Sequence, residues 1–77
     1  NDVTGWRKTG KNWANGTIIL NIRTIYRINE VIGYSVDLYD FSSGGTLSEQ
    51  RTPLKQFKTK NEARQFIGEY MRSHPNG

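Results

Sequence analysis

At 77 residues and without a cysteine, the chain is one small domain that can use neither a disulfide framework nor a thiolate metal site. Hydrophobic residues make up 34% and charged residues 23%, which places it with globular rather than disordered chains. The net charge is +4, pointing to a polyanionic partner, and no apolar run approaches the roughly 20 residues that cross a bilayer as a helix.

A domain of this size buries only about 60–65% of the surface its unfolded chain exposes, so one thin core is expected. The charge is segregated. Residues 1–29 carry five basic side chains and one acid, residues 30–52 four acids and one base, and residues 53–77 five bases and two acids. A chain that opens at Asn1 and closes on Pro75-Asn76-Gly77 reads as an excised domain or processed product. The lack of cysteine leans toward a reducing, cytoplasmic setting.

Residues 1–16 form a basic N-terminal arm rich in Gly, Asn, Thr and Lys, with a tight-turn signal at Asn15-Gly16. A short strand is expected around Val3–Lys8 or Lys11–Trp13. Trp6 and Trp13 read as lids over a small core, with ligand contact as the other reading.

From Thr17 to Ile28 the even positions Ile18, Leu20, Ile22, Thr24, Tyr26 and Ile28 make the core face of a half-buried strand. After a turn at Asn29-Glu30, Ile32, Tyr34, Val36 and Leu38 repeat the pattern through Phe41. A three-residue loop at Asn29–Val31 keeps both even faces on one side, and it sets Arg23 opposite Asp37, Asn21 opposite Tyr39 and Ile19 opposite Phe41.

Ser42-Ser43-Gly44-Gly45 marks a flexible turn, and Thr46 to Phe57 reads as a third strand buried through Leu47, Leu54 and Phe57. Pro53 lacks the N–H a central strand needs, so this strand lies at an edge or is bulged. Thr59-Lys60-Asn61-Glu62 is a capping box, and Ala63, Phe66, Ile67, Tyr70 and Met71 form one apolar helical stripe that ends at Ser73-His74-Pro75.

The expected fold is α+β: a three-stranded antiparallel sheet, four-stranded if the Trp6 region pairs, packed on one C-terminal α-helix. Residues 17–74 form a single β-β-β-α domain and 75–77 a tail. One helix covers one face, so Arg23, Arg27, Tyr39 and Phe41 on the odd face look outward.

Catalytic chemistry finds no motif. His74 is the sole histidine, leaving neither a transition-metal site nor a supported Ser/His/Asp arrangement. Ser43-Gly44-Gly45-Thr46 is too short for a phosphate cradle and is not expected to lead into a helix, so it reads as a hairpin loop, and Asp37, Asp40 and Glu49 lie in a polar segment. No enzyme activity and no cofactor are expected.

The run Leu54-Lys55-Gln56-Phe57-Lys58-Thr59-Lys60-Asn61-Glu62-Ala63 resembles the strand-to-helix segment closing the three-stranded N-terminal DNA-binding domains of phage and transposon tyrosine recombinases. That resemblance implies a sheet lying in the major groove of arm-type sites. Arg23, Arg27, Tyr39 and Lys55 would then contact the groove, Arg7, Lys8 and Lys11 would hold phosphates, and Lys58 would join the contact set. Asp37 and Asp40 depart from the family, which tends to be polar or basic there, and strand one is longer than its pattern. Gly16–Tyr26 also resembles the strand preceding the stacking platform of Whirly-type single-strand-binding folds, which need four strands and a helix.

The expected function is therefore a non-catalytic nucleic-acid-binding module, with duplex DNA on the open sheet face and the basic arm. Two alternatives stand beside it. One is single-strand binding by aromatic stacking; the other is a protein-interaction, inhibitor or homodimer surface formed by Ile19, Ile25 and Phe41.

Overall fold

The computed structural model describes residues 5–42 and 44–77. It is an α+β fold: an open antiparallel sheet of five strands in the order β1-β2-β3-β4-β5, followed by a C-terminal helix. The strands are β1 (Arg7–Thr9), β2 (Asn12–Asn15), β3 (Ile18–Arg27), β4 (Glu30–Asp40) and β5 (Arg51–Phe57). A four-residue helix α1 (Leu47–Gln50) precedes β5, and α2 (Lys60–Ser73) closes the fold.

The alternation in β3 and β4 sets the two faces as their sequence requires. Leu20 and Val36 are fully buried against Ala63 and Ile67 of α2, with Ile18, Ile22, Tyr34, Leu38, Phe57, Phe66, Tyr70 and Met71 packed around them. Burying each of Leu20, Val36 and Ile67 contributes about 1.5–3 kcal/mol. Helix α2 starts where the capping box places it: the Glu62 amide donates to Thr59 Oγ1 at 3.2 Å, and the Thr59 amide donates back to Glu62 Oε1 at 3.2 Å.

The sheet has five strands rather than three or four, because the expected arm is part of it. Over its described residues the 1–16 segment is the β1–β2 hairpin, with Thr9 opposite Asn12 and Asn15 opposite Ile18. Gly10 and Gly16 each open a two-residue turn at positive φ (61° and 60°), a conformation glycine adopts without steric cost. The Val3 end of the strand expected at Val3–Lys8 lies outside the described residues. Trp6 is 5% exposed and donates from Nε1 to the His74 carbonyl at 2.6 Å, fastening the N-terminal segment to the end of α2. Asn15 Nδ2 likewise donates to the Pro75 carbonyl at 2.9 Å.

Three further expectations are corrected. The β3–β4 connection is a two-residue turn at Ile28–Asn29 (φ 50° and 64°), not a three-residue loop at Asn29–Val31. With a bulge between Ile25 and Tyr26, the register slips by two, so Arg23 faces Ser35, Asn21 faces Asp37 and Ile19 faces Tyr39. From Ile18 opposite Asp40 to Ile25 opposite Gly33 this slip of two preserves each side chain's face; past the bulge the parity changes, and Val31 comes opposite Tyr26. Second, Thr46–Gln50 is a capped helical turn rather than strand, so the run ending at Thr46 does lead into a short helix and Leu47 is exposed rather than buried: the Glu49 amide donates to Thr46 Oγ1, and the Thr46 amide to Glu49 Oε1. Third, Tyr26, Ile28 and Ile32 are not core but 66%, 90% and 53% exposed. The reason is length: α2 reaches about 21 Å along its axis whereas β3 runs about 33 Å, so the sheet outruns its cover. Pro53 does lie on an edge strand, beside an irregularity in the β4–β5 register.

Candidate nucleic-acid interface

Up to the bulge, the odd residues of β3 and β4 occupy the face away from α2, and Arg23 sits there as expected. Its guanidinium does not stand free. Arg23 Nε donates to Asp37 Oδ2 at 2.7 Å, and Ser35 Oγ donates to Asp37 Oδ1 at 2.7 Å. Asp37 is fully buried while the Arg23 side chain is 38% exposed, so the pair presents its positive partner to solvent. That hydrogen bond, countered in part by desolvation, raises the Arg23 pKa further.

Tyr39 stacks on Phe41 with ring centroids 6.0 Å apart and planes 6° from parallel. Together with Asn12, Ile19, Asn21 and Leu47 they line a shallow cleft of about 240 Å³ on this outer face. Arg7 belongs to the same face, because it is opposite Ala14, which is opposite Ile19, which is opposite Tyr39.

The remaining expected contacts lie elsewhere. Lys8 is opposite Trp13, itself opposite core residue Leu20, so it stands on the α2 side; its ammonium lies 5.3 Å from the Trp13 ring centroid and donates to the Gly10 carbonyl at 3.0 Å. Lys55 is also off the outer face: it is opposite Val36, with its ammonium 5.6 Å from the Phe57 ring. Lys58 follows β5 beside Ile25 and Ile32, and Arg27 is opposite Glu30 near the β3–β4 turn. The eight residues therefore do not form one surface.

The fold assembles a different cluster. Lys8 and Lys11 from the β1–β2 hairpin and Lys60 and Arg64 from the first turns of α2 line a cleft of about 300 Å³, with Trp13, Ile22 and Thr24 as its other walls. No carboxylate lines it among the described residues. The Lys60 ammonium lies 5.8 Å from the Tyr34 ring centroid, so two of the four cations rest on aromatic faces, which limits their freedom before any ligand arrives. The α2 N-terminus adds its own positive end. Sequence reading missed Lys60 and Arg64; their i, i+4 spacing on one helix face was the available signal.

A second feature lies next to this cleft. Beyond Thr24, which lines it, β3 and β4 pair, among the described residues, only with each other, because β5 leaves the sheet at Phe57 opposite Tyr34 and β2 ends near Leu20. Residues 25–33 thus form a two-stranded ribbon. Four of the six exposed large hydrophobic residues among those described, Tyr26, Ile28, Val31 and Ile32, are on it.

Among the described residues no group of His, Asp and Glu side chains is arranged to hold a metal ion, and no helix is long and apolar enough to cross a membrane. No protein-family model, curated protein or solved structure matches the chain.

Proposed function

We propose that this chain is a non-catalytic nucleic-acid-binding module that holds duplex DNA. The observation carrying this reading is the convergence of Lys8, Lys11, Lys60 and Arg64 on one cleft without a lining carboxylate. Such a cluster is suited to backbone phosphates, whose neutralisation releases counterions and supplies most sequence-independent affinity.

The docking geometry differs from a sheet laid flat in the groove. Five strands span about 19 Å between outer strand axes, whereas a B-DNA major groove is about 12 Å wide and admits a two-stranded ribbon. The 25–33 ribbon is the part of this sheet narrow enough to enter, and it begins beside the cation cluster. Arg23, tied to Asp37, contributes orientation more than free charge.

Titration of a labelled duplex at several salt concentrations tests the reading. The expected plot of log affinity against log salt is linear, and Lys60→Ala or Lys8→Ala each reduces its slope by about 0.9. Absent binding at low salt, or affinity indifferent to salt, rejects it. Preference for an unpaired strand transfers the cluster to single-strand binding instead.

A second reading rests on the outer face, where Phe41 is 36% and Leu47 64% exposed beside Ile19 and Tyr39. It makes that face a protein contact, including one with a second copy of the chain. Under it, Ile19→Ser with Phe41→Ser abolishes association while Lys60→Ala is silent.

A further inference from the structure

We infer that the tip of the β3–β4 ribbon is a wedge: Ile28 enters a duplex base step, partly unstacks it and bends the DNA. This inference rests on the duplex-binding reading above and adds the deformation to it.

Ile28 is 90% exposed at the apex of the ribbon, where folding gains nothing from an isoleucine. It also holds φ 50°, a left-handed conformation that β-branched residues rarely adopt and that Asn or Gly would occupy at lower cost. The position thus carries the wrong residue twice over for stability, once by exposure and once by backbone. Strain of this kind persists where another role requires it.

The neighbours suit an aromatic, polyanionic partner. Tyr26, Val31 and Ile32 flank the apex with exposed apolar surface, Arg27 stands next to it, and Lys58 lies at the ribbon's base. An apolar side chain on a narrow element, backed by cations, is the arrangement with which minor-groove proteins separate stacked bases; here a ribbon narrow enough for the major groove presents the same wedge. The cleft of Lys8, Lys11, Lys60 and Arg64 opens where the ribbon starts, so backbone grip and wedge share one end of the sheet. A kink then costs unstacking of one step and is offset by the wider contact that bent DNA makes with these cations.

The experiment is a bending assay on the full chain: end-labelled duplex followed by energy transfer, with a 2-aminopurine reporter for unstacking. Wild-type protein is expected to bend the duplex by an angle within about 20–90° and to raise the reporter's emission. Ile28→Asn is expected to abolish both signals and weaken binding about tenfold, whereas Ile28→Leu, still an apolar wedge, keeps them. Because Asn suits the turn better than Ile, loss of bending by Ile28→Asn cannot be laid to unfolding. Salt-dependent binding without bending, or equal bending by Ile28→Asn, overturns the wedge and leaves the binding reading intact. Failure of the wild type to bind duplex at low salt removes both. Flotation with anionic phosphatidylserine vesicles that depends on Ile28, without DNA bending, assigns the tip to a lipid surface and overturns the proposal.

Discussion

Arg23 and Asp37 lie diagonally across β3 and β4, joined Nε to Oδ2 at 2.7 Å, the acid wholly buried and the base partly in solvent. The relationship is asymmetric. Removing Arg23 strands a carboxylate away from water, whereas removing Asp37 leaves a guanidinium that solvent can reach.

Arg23→Ala is accordingly expected to destabilise the domain by about 1–3 kcal/mol, below the full cost for a deeply buried pair because Arg23 is partly screened. Adding Asp37→Asn should recover part of that loss. Urea unfolding of the two single variants and the double variant measures it, and a double variant no more stable than Arg23→Ala alone contradicts the assignment.

The β3–β4 turn yields the opposite sign. Ile28→Asn replaces a β-branched residue at φ 50° with one that tolerates the left-handed region, and no buried contact is lost. Stability should rise by about 1 kcal/mol. For a domain this size that is an upward Tm shift of about 4–8 °C, read by thermal unfolding.

Trp6 links the first described residues to the last turn of the fold. Trp6→Phe keeps an aromatic ring against Tyr70, now 6.3 Å away edge-on, but loses the Nε1 donor to the His74 carbonyl. A loss of about 1–2 kcal/mol is expected, against about 3–5 kcal/mol for Trp6→Ala. Hydrogen exchange should show faster opening of the α2 C-terminus in Trp6→Phe than in the parent.

The cap of α1 is acid-sensitive. Hydrogen bonds from the Thr46 amide, and next from its hydroxyl, hold the Glu49 carboxylate below the usual glutamate range. A depressed folded-state pKa means the cap's contribution is complete above the unfolded-state value and fades as pH falls through the folded one. The Thr46 and Glu49 amide resonances should therefore move together below the ordinary glutamate range. Glu49→Gln should flatten that titration.

Much of this fold was legible in the residues themselves. Thr59 and Glu62 with the Ala63–Met71 stripe carry their own cap and their own period, so α2 needed no tertiary information. Leu20, Ile22, Val36 and Leu38 declare the buried side of β3 and β4 because parity survives a register slip of two. Strands β1 and β2 left a fainter trace: one short strand is expected, at either Val3–Lys8 or Lys11–Trp13, where the fold has two that overlap these segments. Arg7, Lys8 and Thr9 are all exposed, so no apolar alternation marks them as a strand, and pairing with Ala14, Trp13 and Asn12 of β2 orders them.

What three dimensions alone decided is where the cations meet and where the helix stops. Lys8 and Lys11 join Lys60 and Arg64 only because an antiparallel meander places the first hairpin beside the start of the last helix. Tyr26, Ile28 and Ile32 fit the core pattern by sequence yet lie in solvent, since alternation states which side a residue points to and not how far the opposing element extends. Face is a local property of an extended chain; cover depends on the relative lengths of elements that are distant in sequence.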